Sequence, residues 1–489
     1  MTPAIPRRMA RAIMVQGTGS GVGKSWLCTG LCRLYARRGL RVAPFKAQNM
    51  SNNAAPAQGG EIGRAQAVQA AAARVAPTVD MNPILIKPVR HTRAQLVLQG
   101  KALEHFEASS YWKDTSALWE RVKESYARVS AAADLVILEG AGSPAEFNLR
   151  DRDLVNMRMA AHAEAAVLVA GDIDKGGVFA SFLGTLELLE PAERALVKGW
   201  IINRFRGDER LLDPAPAQFG ARTGIPVRGV VPMRRDIVID REDDPSDLAG
   251  DLGTIDVAVV RLPTVSNFTD LEPLAATPGV GLRWVADAER AGNPDLLVIP
   301  GAKDTLSDLR WLREHGLDRV IVAAASRGVP VLGLCGGYQM LGRTLRDEAG
   351  VGGTAAVEAG LGLLPVDTTF GVEKRTVDVE GRTEGGWLLP PGLPVRGYEI
   401  HQGRTEPGDT PLVRLGDGPD GAVRGLVAGA YTHGFFDAAA VRKALVDALR
   451  VRRGLDPLPD VLEDADVARD RAYDALADLL EARLDLSGV

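Results

Sequence analysis

Short apolar runs recur along the first half of the chain at the spacing expected of strands separated by helices. Ala12–Gln16, Arg41–Phe45, Leu135–Glu139, Ala165–Ala170, Gly199–Asn203 and Val227–Val231 are mostly aliphatic rather than alternating. Such runs suit strands buried on both faces, as in a parallel sheet covered by helices. Trp26 to Arg38 carries a helical pattern directly after the first run. A second series begins with Ile255–Val260 and continues with Leu296–Ile299, Val329–Leu334 and Gly429–Thr432. The fold class is therefore α/β, with two successive parallel-sheet units.

Between the series, Arg241-Glu242-Asp243-Asp244-Pro245 lies in an acidic stretch bearing Pro and Gly, a composition suited to an exposed linker. The expected division is a first domain over 1–235, a linker over 236–252 and a second domain over 253–445. A helical tail over 446–489, rich in Arg and Asp, is expected to form a solvated cap on the second domain.

Composition narrows the function classes. A chain of 489 residues is long enough for two or three domains, and its net charge of −5 leaves no basic footprint for nucleic acid. No apolar run is long enough to cross a bilayer, and the run after Arg7 and Arg8 is too short for a signal peptide. Three cysteines make no disulfide framework, which agrees with a cytoplasmic setting. Cys28 and Cys32, four apart on the first helix, are expected to be small core residues.

The sharpest feature of the first half is Gly17-Thr18-Gly19-Ser20-Gly21-Val22-Gly23-Lys24-Ser25, set between a strand and a helix. Gly19, Gly21 and Gly23 allow backbone N–H groups to turn inward around phosphate oxygens, and the helix N-terminus adds positive potential. Lys24 is placed to reach the outer phosphates, and the Ser25 hydroxyl to ligate Mg²⁺. Glu139 ends a strand, so its carboxylate falls at the sheet edge where ligands bind and makes a second metal ligand. Lys46, just past the second strand, is a candidate to hold a transferring phosphoryl group. Asp172 and Asp174 close another strand, either as metal or switch residues or as loop caps.

In the second half, Val331-Leu332-Gly333-Leu334-Cys335-Gly336-Gly337 runs an apolar strand into a Cys flanked by small residues, then into a helix. That pattern permits the strained elbow that exposes a nucleophile, and a helix N-terminus favours the thiolate. Gly336 is placed to donate its N–H to an oxyanion, with a second donor from the loop around Gly301. Two histidines can serve as the base: His433, following a strand, and His401.

Position 18 is Thr where the common phosphate loop has Gly, and this variant resembles the loop of dethiobiotin synthetase and its relatives. Cys335 and His433 resemble the dyad of class I glutamine amidotransferases, which usually carry a Glu two residues after the His. Phe435 stands there instead. That absence is similar to the family of cobyrinic acid diamide and cobyric acid synthases. The same family is suggested by Lys46-Ala47-Gln48-Asn49-Met50-Ser51-Asn52-Asn53, Gly60-Glu61-Ile62-Gly63-Arg64-Ala65-Gln66, Asp80-Met81-Asn82-Pro83, Glu139-Gly140-Ala141-Gly142-Ser143-Pro144-Ala145-Glu146, Asn148-Leu149-Arg150-Asp151 and Gly176-Gly177-Val178-Phe179-Ala180. One departure is Lys87-Pro88-Val89-Arg90-His91, where a Ser/Thr-Asp pair after the proline is usual.

The resemblance implies a dethiobiotin synthetase-like domain followed by a class I glutamine amidotransferase-like domain. It implies ATP and Mg²⁺ as cofactors, and a corrinoid and glutamine as substrates. It further implies amidation of four carboxylates of adenosylcobyrinic acid a,c-diamide. Asn203 would read adenine, and Gln48, Asn49 and Arg64 would contact the corrin edge. The alternative of another class is a P-loop switch of the partitioning type, with the second domain as a binding module.

Overall fold

The computed structural model of the chain describes residues 10–90, 93–107, 115–240, 253–348, 350–351, 355–406, 408–459 and 461–489. In the first half, the six expected strands are β1 (Arg11–Gly17), β2 (Val42–Phe45), β3 (Leu135–Glu139), β4 (Ala166–Asp172), β5 (Val197–Phe205) and β6 (Val227–Pro232). They form one parallel sheet in the order β6-β5-β4-β1-β3-β2. The central strands are apolar along their length because both faces are buried. With β1 flanked by β3 and β4, Val15 lies opposite Glu139, and Gly17 opposite Ala170. The phosphate loop, Glu139 and Asp172 therefore emerge at one edge.

Helix α1 (Lys24–Arg37) follows the phosphate loop, with Cys28 and Cys32 fully buried in its core face. Burial pushes both thiols up, as expected of packing residues. Among the described residues no group of three or more His, Cys, Asp and Glu is arranged to hold a metal.

Between β2 and β3 the chain makes an excursion that apolar periodicity does not announce. A hairpin pairs Ala54–Ala57 with Gly60–Gly63 and leads into α2 (Arg64–Ala72). A four-stranded sheet joins Gln48–Met50, Ile84–Arg90, Arg93–Leu98 and Lys101–Glu107.

The second sheet comprises β7 (Ile255–Val260), β8 (Val280–Val285), β9 (Leu296–Ile299), β10 (Val331–Leu334), β11 (Ala422–Arg424) and β12 (Val427–Ala430). Its order is β8-β7-β9-β10-β12-β11, parallel except for the β11–β12 hairpin. The strand expected over Gly429–Thr432 lies two residues earlier. Beside this sheet stands an antiparallel ribbon of Asp367–Thr383 and Pro394–Thr405.

The two halves meet along the excursion. Tyr398 and Ile400 of the ribbon pack with Ala54, Leu85 and Val97. Glu61 is shared by Lys87, at 2.6 Å, and Lys374 of the ribbon. These two lysines outweigh the cost of burial and hold the Glu61 carboxyl down at about 2.

The tail differs from the expected cap. Helix Ala439–Arg452 runs through position 445 and buries Leu445, Val446 and Leu449 in the second core, so no boundary falls there. The last helix, α3 (Ala465–Arg483), crosses back and packs Leu476 and Leu480 against α1 of the first half. Arg33 of α1, fully buried, pairs with Asp470 and, at 2.9 Å, with Asp474. The tail helix is a structural part of the first core because its apolar face matches α1, while its Asp residues neutralise α1's arginines. The linker expectation is corrected in part: the Asp240 side chain is only 8% exposed and is bound at 2.8 Å by Arg469 of α3. Residues 241–252 lie outside the described ones.

The approach of α1 and α3 is set at Gly30, where an added Cβ would stand 2.5 Å from Leu480 Cδ1 and 2.7 Å from Leu476 Cγ. Gly30→Val is expected to lower stability by about 1–3 kcal/mol through overpacking, read as a lower midpoint in urea unfolding.

Candidate active sites

At the carboxyl edge of the first sheet, Gly21 and Gly23 take left-handed backbone angles (φ 68° and 95°), which lets the loop curl ahead of α1. Lys24 lies across the loop, donating to the Gly19 carbonyl at 2.9 Å and the Gly142 carbonyl at 3.1 Å. Its ammonium thus ties the phosphate loop to the segment after β3.

Glu139 is the hub. Its Oε1 accepts from Ser25 Oγ at 2.9 Å and Lys46 Nζ at 2.8 Å, and its Oε2 from Gln69 Nε2 at 2.5 Å. Burial raises the Glu139 carboxyl, but Lys46 and these hydrogen bonds outweigh it and hold it below the ordinary carboxylate range. A hydroxyl and a carboxylate side by side are hard oxygen donors, and the set fits Mg²⁺, which takes one or two protein oxygens and keeps its remaining positions for water and phosphate.

Asn203 donates from Nδ2 to the Val22 carbonyl at 2.8 Å, so it buttresses the phosphate loop from β5. Asp172 accepts from the Asp174 N–H and pairs with Arg204 at 3.0 Å, while Asp174 pairs with Arg206. Asp172 thus caps the turn after β4, and both carboxylates are tied to arginines. Gln48 and Asn49 are buried in the excursion, where Asn49 donates to Gln66 at 3.0 Å. Arg64 faces the second half: it donates to Thr269 Oγ1 at 3.1 Å and lies over the Tyr398 ring. Asn49 thus packs on the start of α2 beside Gly63, while Arg64 reaches the seam.

At the second sheet, β10 ends in Cys335, whose φ of 49° and ψ of −106° make the sharp elbow that small neighbours permit. Gly336 follows at the start of a short helix, and an added Cβ there would stand 2.8 Å from the Ala302 N atom. An added Cβ on Gly301 would lie 3.5 Å from His433 Cε1. The two loops expected to supply oxyanion donors thus adjoin each other beside the thiol and imidazole.

Of the two histidines, His433 is the one whose charge is favoured by Cys335, while the thiol itself lies 3.8 Å from the Ile400 carbonyl. His401 stacks on Tyr431 with centroids 3.7 Å apart and directs Nδ1 at the Gly403 carbonyl, 2.7 Å away.

The group that orients His433 is Asp270. Its Oδ2 lies 2.6 Å from His433 Nδ1, and its Oδ1 accepts from the Gly434 N–H at 3.0 Å. The carboxylate absent at Phe435 is thus supplied by the turn Phe268–Leu271 that follows β7, 163 residues before His433. Burial opposes a charge on His433, but Asp270 and Cys335 outweigh it and push the imidazole up to about 10. The arrangement can generate a thiolate, hold its proton on an adjacent imidazole and stabilise that imidazolium.

The geometry defines a class: a nucleotide-binding phosphate-loop domain joined to an amidotransferase-like domain with a thiol, an imidazole and a carboxylate. Residues 13–245 match the CobQ/CobB/MinD/ParA nucleotide binding domain, and residues 256–441 the CobB/CobQ-like glutamine amidotransferase domain. A cobyric acid synthase of Desulforudis audaxviator is 50% identical, with 97% of each chain covered. Cobyric acid synthases of Sorangium cellulosum and Citrobacter koseri are each 47% identical, covering 97% and 98% of both chains respectively. The chain belongs to the cobyric acid synthase family. Among the described residues no helix is long and apolar enough to cross a membrane.

A histidine raised from about 6.5 when unfolded to about 10 when folded stabilises the fold fully below pH about 6.5. That contribution is lost as pH rises through 10. Asp270→Asn is expected to flatten this dependence in unfolding measured against pH. The same variant should lower glutamine hydrolysis on the order of 10²–10⁴-fold, as loss of an orienting carboxylate does elsewhere.

Proposed function

We propose that the chain is an ATP- and glutamine-dependent amidoligase. Its substrate would be adenosylcobyrinic acid a,c-diamide, four of whose side-chain carboxylates become carboxamides to give adenosylcobyric acid in cobalamin biosynthesis. The observation that carries this reading is the near full-length similarity to cobyric acid synthases, which spans both sites in one chain.

A carboxylate resists attack by ammonia, so it must first be activated. In this scheme Gly19, Gly21, Gly23 and Lys24 hold the phosphates of ATP, and Asn203 supports the loop from β5 and reads the adenine. Ser25 and Glu139 hold Mg²⁺, which when bound offsets phosphate charge. Lys46, already turned into this site, steadies the transferring group. The substrate carboxylate oxygen bonds to the terminal phosphorus, ADP leaves, and ammonia then displaces phosphate from the acyl carbon. Gln48, Asn49 and Arg64 remain the proposed determinants on the corrin side, with Arg64 acting from the seam between domains.

Ammonia comes from the second site. The Cys335 thiolate attacks the glutamine amide carbon while Gly336 and Gly301 N–H groups stabilise the oxyanion. His433 gives its proton to the departing ammonia, and water then releases glutamate from the thioester.

Wild type supplied with the corrinoid diamide, ATP–Mg²⁺ and glutamine is expected to yield products about 1 Da lighter per amidation. Cys335→Ala should reach the same products only with an ammonium salt. Hydrolysis of ATP with the corrinoid untouched would overturn the reading and favour the P-loop switch.

A further inference from the structure

Asn267 stands where the two halves of the molecule meet. Its backbone is left-handed (φ 51°, ψ 37°), a conformation Asn tolerates better than most residues, and its side chain is buried. The two ends of its amide face different domains. Oδ1 accepts the N–H of Ala54 at 3.0 Å, at the start of the first-half hairpin. Nδ2 lies 3.3 Å from Nε2 of His433.

A backbone N–H can only donate, so Ala54 decides which end of the amide is which. Nδ2, a donor, must then face the imidazole. Because Asp270 holds the proton of His433 on Nδ1, a donor opposite Nε2 suits the neutral ring, whose Nε2 carries a lone pair. It opposes the imidazolium, which would set N–H against N–H. The hairpin that makes this choice is linked to the other active site. Ala54 pairs with Gly63, the Arg64 N–H donates to the Asn53 carbonyl at 3.1 Å, and α2 carries Gln69 onward to Glu139. Arg64 also binds Thr269, so the turn bearing Asn267 and Asp270 is held twice by the same hairpin and helix.

We propose that Asn267 is a positioning residue through which the first domain restrains the glutaminase. While the Ala54 N–H occupies Oδ1, the amide disfavours the imidazolium–thiolate pair. When substrates at the first site shift α2 and its hairpin, the amide is released, turns Oδ1 towards Nε2–H and favours that pair. Ammonia is then made chiefly when an activated carboxylate awaits it. This inference rests on the amidoligase reading and extends it to the timing of the two half-reactions.

The test compares wild type, Asn267→Ala and Ala54→Pro, the last removing the restraining N–H while keeping Asn267. Two quantities are read: glutamine hydrolysis without ATP and corrinoid, and glutamate released per amide formed in the complete reaction. Removal of the restraint is expected to raise unstimulated hydrolysis about tenfold, the scale of one hydrogen bond, and to raise the glutamate-to-amide ratio. If Ala54→Pro fails to fold, Asn267→Ala alone decides. A parallel fall in hydrolysis with and without substrates, at an unchanged ratio, overturns the proposal and leaves Asn267 a packing residue. Amidation of the corrinoid by wild type with ammonium chloride checks the underlying reading separately. Its absence defeats the amidoligase assignment, whereas its presence with an unchanged ratio defeats only the role of Asn267.

Discussion

Glu139 is a charge taken out of water, and much of the first domain is arranged to make that tolerable. A buried carboxylate without partners costs several kcal/mol, so its neighbours have to be placed with care. Ser25 comes from the helix after the phosphate loop, Lys46 from the end of β2, and Gln69 from the excursion. Three segments far apart in the chain are thereby fixed around one point. The loop is anchored to the sheet, the lysine is turned inward, and α2 is docked beside the edge where ligands bind.

The second domain solves a related problem with the same means. Asp270 is buried, and it accepts from the His433 ring and from the Gly434 backbone. The imidazole is thereby aimed at a thiol on a strained elbow, and its charged form is made accessible. In both domains a carboxylate at the carboxyl edge of a parallel sheet sets the direction of a cationic partner. The seam between the domains lets hydrogen bonds run from one carboxylate's surroundings to the other's without passing through solvent.

How much of this could be read in advance depended on whether the signal was local. The strands of the first sheet are legible because burial on both faces makes them continuous apolar runs, and Lys24, Ser25 and Cys335 announce themselves by their immediate neighbours. The excursion and the ribbon are not legible in that way, since strands such as Asp367–Thr383 are mostly half-buried or exposed and carry many charges. β8, Val280–Val285, escapes because Arg283 and Trp284 interrupt its apolar pattern. Asp270 could not be picked out because its meaning comes only from a partner on a distant strand end. The nearest clue was negative, the Phe at 435 that left His433 without an evident orienting group. The tail is misread for the same reason: α3's amphipathic face declares that it packs, but not on which domain.

The placement of α3 has a bearing on how the polypeptide is made. A ribosome emits α1 long before Ala465–Arg483 exists, so the groove that receives Leu476 and Leu480 stays bare while the whole second domain is synthesised. N-terminal domains usually complete their folding first. Here that order cannot be fully kept, because the face of α1 that meets α3 stays uncovered until that helix has been made. A stop codon just after Arg452 would accordingly leave the nearby domain's own core largely complete. The injury would fall on the nucleotide-binding half, far earlier in the chain.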